Sequence, residues 1–442
     1  MKKRLILYVA LVLIAVVGLS GAALAGFLIQ DNITIEAHTL SGDVSAADGL
    51  ELTVYARRDM NLSWVTTFPA TAASQAVTDF TYHLDGISSS DGVYLDFSTA
   101  SLNGGTTTTL ENLMEERIRW NDFLIEPVRD LARELEPGEE KTTTVTVADY
   151  WEIYPLTLYL SIPNVTTYYD EGETNFLTNY FHIPVPAELT VDITVSLEES
   201  GRWVNANINP TGERSYGFCS SALYTDQGIY FGLYSCVSEE PADFSHIQGG
   251  YGIYRIPLPQ EGDYALPVED IENILPLSAE DVEAISLLES PWDGIIEVFT
   301  VEQGALRLRL LEEETCTVIE DYWLDADALP EVVQTEDVLV LLFWEEESQS
   351  FLAYAREDGQ YRLWLGAELP AEAFYLSSFN ATFDRSRLAL AYPWGEYASV
   401  GTGLLVYDQG GLLYHGQYES SADSNLLQFY SPERPALQWV GH

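Results

Sequence analysis

Lysine is nearly absent from this chain. After Lys2 and Lys3, the 442 residues hold one more, Lys141. Lysines and arginines together number 20 against 69 aspartates and glutamates, a formal net charge of −49. Three of those cations are Lys2, Lys3 and Arg4, so the rest of the chain sets 17 basic groups against the 69 acidic ones. Such a surface repels phosphate backbones, which excludes nucleic acid as a partner. It also repels anionic lipid headgroups. It attracts cations and basic partners, and it keeps an exported protein soluble.

Cysteine is scarce too: Cys219, Cys236 and Cys316. There is no C-x-x-C pair and no Cys/His cluster, so zinc and thioredoxin-like chemistry have no support. Cys219 and Cys236 flank a hairpin pattern, and in an oxidising compartment they are expected to bridge, leaving Cys316 over. The chain has no nucleophile elbow, no H-E-x-x-H and no phosphate-binding glycine loop. Its histidines (His38, His83, His182, His246, His415 and His442) are scattered. No metal site and no cofactor is expected, with Ca²⁺ at Asp325-Ala326-Asp327 as the exception considered. Calcium wants several oxygens in a compact loop, and here the bend glycine and the bidentate glutamate are missing.

Long apolar runs are also absent, apart from one at the start. Residues 5–29 carry no charge and follow the cationic Lys2-Lys3-Arg4. A bilayer core of ~30 Å needs about 20 helical residues, and the flanking cations place the N-terminus in the cytoplasm. The expectation is a single-pass cell-membrane anchor over residues 1–30, with the bulk of the chain outside. Ala23-Leu24-Ala25 fits a signal-peptidase site, and cleavage after Ala25 would make the protein secreted.

What remains is strand-like. Runs rich in Val, Ile, Thr, Tyr, Phe and Trp alternate with polar residues and stop at Gly, Asp, Asn or Pro, as in Leu50 to Arg57, Thr142 to Val147 and Glu188 to Leu197. The exception is 110–135, where apolar residues recur near a 3.6 period. Thr109 is placed to cap this helix and Pro127 to split it. The expected fold is mostly β. A β-rich, sandwich-like extracytoplasmic module spans 31–200, with the helix at 110–135, and degenerate β-propeller-like repeats span 201–442. The repeat is read from three apolar strands (294–299, 337–344 and 386–392) and from hairpins turning at Gly304, Gly359 and Gly410, with an earlier copy at 223–234. A period of roughly 40–50 residues is that of a propeller blade. The turn Asp226-Gln227-Gly228-Ile229-Tyr230-Phe231 resembles the Asp-box turn of sialidase-type propellers, although Tyr224 stands where that motif has Ser or Thr. In that family the box is a structural turn, so the resemblance implies propeller hairpins and not hydrolysis.

Two functional readings follow. The first is a membrane-anchored extracytoplasmic binding, sensing or assembly module, meeting a protein or glycan ligand. Tyr251 and Tyr254, in the glycine-rich segment 249–254, are its candidate ligand-binding residues. The alternative is an exported glycan-active hydrolase using a carboxylate pair, which must stand about 5–10 Å apart. With 69 acids, no pair is singled out by the sequence.

Overall fold

The computed structural model describes residues 14, 16–18, 21, 34–58, 62–83, 94–99, 104–115, 125–153, 156–161, 167–170, 176–185, 187–211, 218–235, 250–258, 267–278, 281–344, 348–373, 379–394, 401–421, 429–430 and 435–440. The chain forms two compact units, Met1–Ser89 with Pro330–His442, and Ser90–Leu329. Among the described residues no helix is long and apolar enough to cross a membrane, and the segment 5–29 lies almost wholly outside them.

The first unit opens with β1 (Ile35–Gly42), β2 (Leu50–Arg58), β3 (Leu62–Pro69) and β4 (Val77–Tyr82). The second unit then runs through β5 (Tyr94–Thr99), β6 (Gly104–Thr109), α1 (Leu110–Met114), α2 (Ile125–Glu134), β7 (Glu140–Thr146), β8 (Leu156–Ser161), β9 (Thr167–Asp170), α3 (Phe176–Phe181), β10 (Thr190–Leu197) and β11 (Trp203–Thr211). It continues with β12 (Phe218–Thr225), β13 (Gly228–Ser235), β14 (Gly252–Pro257) and β15 (Glu272–Pro276), then β16 (Val282–Glu289), β17 (Ile295–Glu302), β18 (Ala305–Glu312) and β19 (Thr317–Trp323). The first unit resumes at β20 (Glu331–Gln334), β21 (Val338–Trp344), β22 (Gln349–Glu357) and β23 (Gln360–Glu368). It ends with β24 (Asn380–Phe383), β25 (Leu388–Trp394), β26 (Gly401–Asp408), β27 (Gly411–Ser420), β28 (Phe429–Tyr430) and β29 (Ala436–Trp439).

The protein is mostly β, and its sheets are antiparallel. Four of them are built on consecutive four-strand meanders: β12–β15, β16–β19, β20–β23 and β24–β27, the last joined by β1 as a fifth strand. The last three begin at Val282, Glu331 and Asn380, a step of 49 residues each time. The glycine hairpins are tight two-residue turns. At Gln303-Gly304 the φ angles are 53° and 71°, and at Asp358-Gly359 they are 52° and 79°. Positive φ at both turn positions matches the twist of the flanking strands, and glycine takes the second at no steric cost. These hairpins do not occupy one place in the repeat. The turn at 226–227 joins the first two strands of its meander, Gln303-Gly304 the second and third, and those at 358–359 and 409–410 the third and fourth. The spacing of the turn glycines is therefore not the period; the spacing of the first strands in the last three meanders is.

Two sheets tie the chain's ends together within the first unit. β1 pairs along β27, the outer strand of the last meander, from Ile35↔Ser420 to Gly42↔Tyr414. In return, β29 pairs with β2, from Leu50↔Trp439 to Thr53↔Ala436. Residues 35–82 thus belong with the C-terminal strands and not with a module ending at 200. The Ser200–Gly201 junction, taken from sequence as a boundary, sits in the turn between β10 and β11, which pair along their whole length. Its run Glu198-Glu199-Ser200-Gly201 has the polarity of a linker because a hairpin turn faces water as a linker does.

In the second unit, β6-β11-β10-β7 form a four-stranded sheet, called here the threonine sheet. One face is apolar. Val191, Ile193, Val195 and Leu197 of β10 and Val204, Ala206 and Ile208 of β11 are all buried. Each large side chain buried this way contributes roughly 1.5–3 kcal/mol. Helix α2 packs on β10 with Ile125, Val128, Leu131 and Ala132 inward. The helix predicted across 110–135 is two helices, α1 and α2, with residues 116–124 outside the described set. Pro127 lies in the first turn of α2, where its missing N–H costs nothing. Thr109 caps α1, its Oγ1 accepting from the Asn112 N–H at 3.2 Å.

Candidate functional site

The outer face of the threonine sheet is a continuous polar surface with few charges. Pairing register fixes its members, because directly opposed residues of an antiparallel pair point to the same side. Trp203, opposite Thr109, starts the first row. Below it run Thr107–Asn205–Ser196–Glu140, then Gly105–Asn207–Thr194–Thr142, then Asn209–Asp192–Thr144, then Thr211–Thr190–Thr146. Of these 16 positions only Asp192 and Glu140 are ionisable, in a chain whose net charge is −49.

The sequence builds this face simply. β10 alternates half-exposed Thr190, Asp192, Thr194 and Ser196 with buried apolar residues. β11 alternates Asn205, Asn207 and Asn209 with Val204, Ala206 and Ile208. Threonine is β-branched, so it favours an extended backbone while its hydroxyl serves the wet side. The hydroxyls are ordered across strands. Thr107 Oγ1 donates to Asn205 Oδ1 at 2.7 Å, Thr144 Oγ1 donates to Asp192 Oδ1 at 2.5 Å, and the hydroxyls of Thr142 and Thr194 lie 2.9 Å apart. Thr190 and Thr211 pair likewise.

At one end of this face, Trp203 is 38% exposed. The Arg202 guanidinium carbon lies 5.6 Å from its ring centroid. Beside it opens a cleft of about 610 Å³ lined by Thr109, Leu110, Glu111, Asn112, Met114, Gly201 and Arg202. The backbone fixes this corner, with the Leu110 N–H donating to the Arg202 carbonyl at 2.9 Å. Gly201 turns the chain at φ 66°.

The residues named from sequence lie elsewhere. Tyr251 and Tyr254 are interior residues, 3% and 0% exposed. Tyr254 stacks on Phe231 with centroids 5.5 Å apart and meets Phe181 of α3 edge-on at 5.0 Å. Burial pushes its phenol above the usual range, and its hydroxyl donates to the Gly250 carbonyl. Cys219 opposes Tyr234 in the β12–β13 ladder; its side chain and all of Cys236 lie outside the described residues. Cys316 is a free, half-buried thiol. Asp325 and Asp327 are exposed, and among the described residues no group of three or more His, Cys, Asp or Glu side chains converges on a metal position.

A cluster of carboxylates does exist in the β16–β19 sheet. Arg307 grips Asp321 with Nε at 2.7 Å and Nη2 at 2.5 Å, and Glu302 with Nη1 at 3.0 Å. Arg309 meets the other oxygen of Glu302 at 2.6 Å and donates to Thr300 Oγ1 at 3.0 Å. The period of two along β18 puts both arginines on one face of the sheet. Arg309 is buried, at 6% exposure. Burial opposes ionisation of Glu302, but hydrogen bonds from Thr300 and Arg309 overcome it and hold the carboxyl below the usual range. The Arg307 hydrogen bond does the same for Asp321. A glycosidase needs one carboxyl held protonated near neutral pH as general acid. Both groups here are pushed the other way, so this pair fits an internal clamp and not a hydrolytic dyad.

No protein-family model and no curated protein matches the chain. Solved structures do. A puromycin-hydrolysing peptidase of Mycobacterium tuberculosis is 12% identical, covering 85% of this chain and 48% of that one, at a TM-score of 0.26. The β-propeller domain of the Trilobed protease from Pyrococcus furiosus, described as having an open velcro topology, is 12% identical over 63% of this chain and 68% of that one, at 0.23. TolB from Acinetobacter baumannii is 8% identical over 88% and 82%, at 0.26. The chain thus spans about half the length of the peptidase. At scores this low the likeness says nothing of activity, and the description of the sheets rests on the strand pairings themselves.

The threonine face was missed in the sequence because its members come from four separate segments. The available signal was Thr, Ser or Asn at most alternate positions of 105–109, 142–146, 190–196 and 205–211, broken by Gly105 and Asp192.

Proposed function

We propose that this chain is an extracytoplasmic binding protein, held at the cell membrane by residues 5–29, whose ligand surface is the outer face of the threonine sheet. One observation carries the reading. In a protein this acidic, a 16-position exposed face with two ionisable groups stands out, and it ends at a half-exposed tryptophan and a cleft. Wet sheet faces are ordinary in antiparallel proteins; what sets this one apart is the run of hydroxyls and amides bonded across its strands. The 49-residue step of the meanders supports reading them as propeller blades, a scaffold type that serves many functions and dictates none.

The test is a two-part measurement on the full chain. A reporter active only outside the cytoplasm, fused after residue 34, should be active; silence would sink the export reading. The variant Asn205→Ala/Asn207→Ala/Asn209→Ala should melt within a few degrees of the wild type and lose ligand retention. Retention unchanged in that variant would remove the face from the function.

A further inference from the structure

Resting on that reading, we infer that the ligand of the threonine face is a neutral, hydroxyl-rich polymer, an extended polysaccharide lying along β11 with one sugar ring against Trp203.

Charge comes first. An anionic polymer would meet a protein of net charge −49, and Asp192 and Glu140 on the face and Glu111 in the cleft add to the repulsion. The nearby cations do little to offset this. Lys141 is engaged by Glu134 of α2, which leaves Arg202 at the corner. A cationic ligand would need several free carboxylates in register, and the face supplies two, with one oxygen of Asp192 already accepting from Thr144. The complement of a face with so few charges is an uncharged partner.

Hydrogen-bonding capacity comes next. Threonine and serine hydroxyls donate and accept, and so do the asparagine amides. Vicinal sugar hydroxyls do the same, so a polyol can satisfy such a face without surrendering bonds to water. A protein partner would want an apolar centre in the interface, and Trp203 is the only apolar side chain among these positions.

Shape and order complete the case. Trp203, Asn205, Asn207 and Asn209 project from alternate positions of one strand, about 7 Å apart, in a row of roughly 20 Å. Flanking rows, Thr109, Thr107 and Gly105 on one side and Ser196, Thr194 and Asp192 on the other, stand about 5 Å away. A row of that length suits a chain of several rings better than a single sugar. The cross-strand hydroxyl bonds fix the side chains before binding, which lowers the ordering cost. Trp203 offers a rigid aromatic surface with few rotamers to freeze, suited to the C–H face of a sugar ring. The cleft beside it, with Asn112 and Arg202, is large enough for a terminal ring or a branch.

The experiment is affinity electrophoresis of the full chain through gels holding mixed-linkage β-glucan, arabinoxylan or polygalacturonate, at low and high salt. The expected result is retardation by a neutral polymer that salt does not abolish, weakened at least tenfold in Trp203→Ala and in the triple asparagine variant, with both variants folded by circular dichroism. No retardation by either neutral polymer overturns the inference. If only polygalacturonate retards the chain and the variants abolish this, the face is the binding surface but the ligand class is wrong. If a neutral polymer retards wild type and variants alike, the face itself is wrong.

Discussion

The second unit contains two polar networks that solve opposite problems. In the β16–β19 sheet, Glu302, Arg309 and Thr300 are taken out of water and satisfied by one another, with Arg307 carrying the network outward to Asp321. In the threonine sheet the polar groups stay wet, all but Asp192 and Glu140 uncharged, and only pairwise bonded. A buried ion pair answers for the fold, because removing one partner strands the other charge. An exposed row of neutral hydroxyls answers for little stability, and its regularity is left to be explained by something outside the chain. Stability and recognition should therefore separate cleanly between these two sheets.

The largest effect should come from Arg309→Ala, which removes the buried partner of Glu302, leaves it only Arg307 and Thr300, and costs about 1.5–3 kcal/mol in chemical denaturation. Replacing Glu302 and Arg309 together by Leu and Met should cost less, since both desolvated charges leave at once and Arg307 keeps Asp321. Equal losses in the two variants would show that the ion pair is not what holds the sheet.

Acid sharpens the comparison next. The carboxyls of Glu302 and Asp321 lie below their usual values in the folded protein, and unfolded values are about 4.3 and 3.9. Their contribution is complete above those unfolded values and is lost as pH falls through the lower folded ones. Melting temperature should thus hold between about pH 7 and 5 and fall below about pH 4, with a shallower fall in the double Leu/Met variant. A melting curve that rises on acidification would reverse the sign argued here.

The smallest effect on stability belongs to the threonine sheet. Thr142→Val with Thr194→Val removes an exposed hydroxyl pair and should cost about 0.5 kcal/mol, while weakening polymer retention severalfold. A loss of several kcal/mol would mean that these hydroxyls serve the fold, and the contrast between the sheets would collapse.

The hairpins were legible in the sequence because a two-residue turn writes its geometry into adjacent residues, as Asp358-Gly359 does with two positive φ angles. Helix α2 was legible because Ile125, Val128 and Leu131 repeat at its own period. The pairing of β1 with β27 was not, since strands far apart in sequence leave no local mark on each other. Nor was the burial of Tyr254. A glycine-rich approach and tyrosines look alike whether they line a binding edge or, as here, enter an aromatic core against Phe231 and Phe181. The threonine face sits between these cases: each strand is readable by its alternation, but the register that makes four strands one surface is set only in the sheet.

The ties between the chain's ends carry a consequence for how this protein comes into being. The Thr34 N–H donates to Ser421 Oγ, and Gln438 Nε2 donates to Glu51 Oε1, each across 387 positions. At 5–20 residues per second, ribosomes need roughly 20 to 80 s to span that distance. Through all of it β1 has no partner strand in existence, and β2 has β3 on one side only. Unpaired edges are templates for aggregation, so the newborn first unit depends on being shielded until its last residues arrive. A chain stopped short of β26 and β27 would keep β1 orphaned for good.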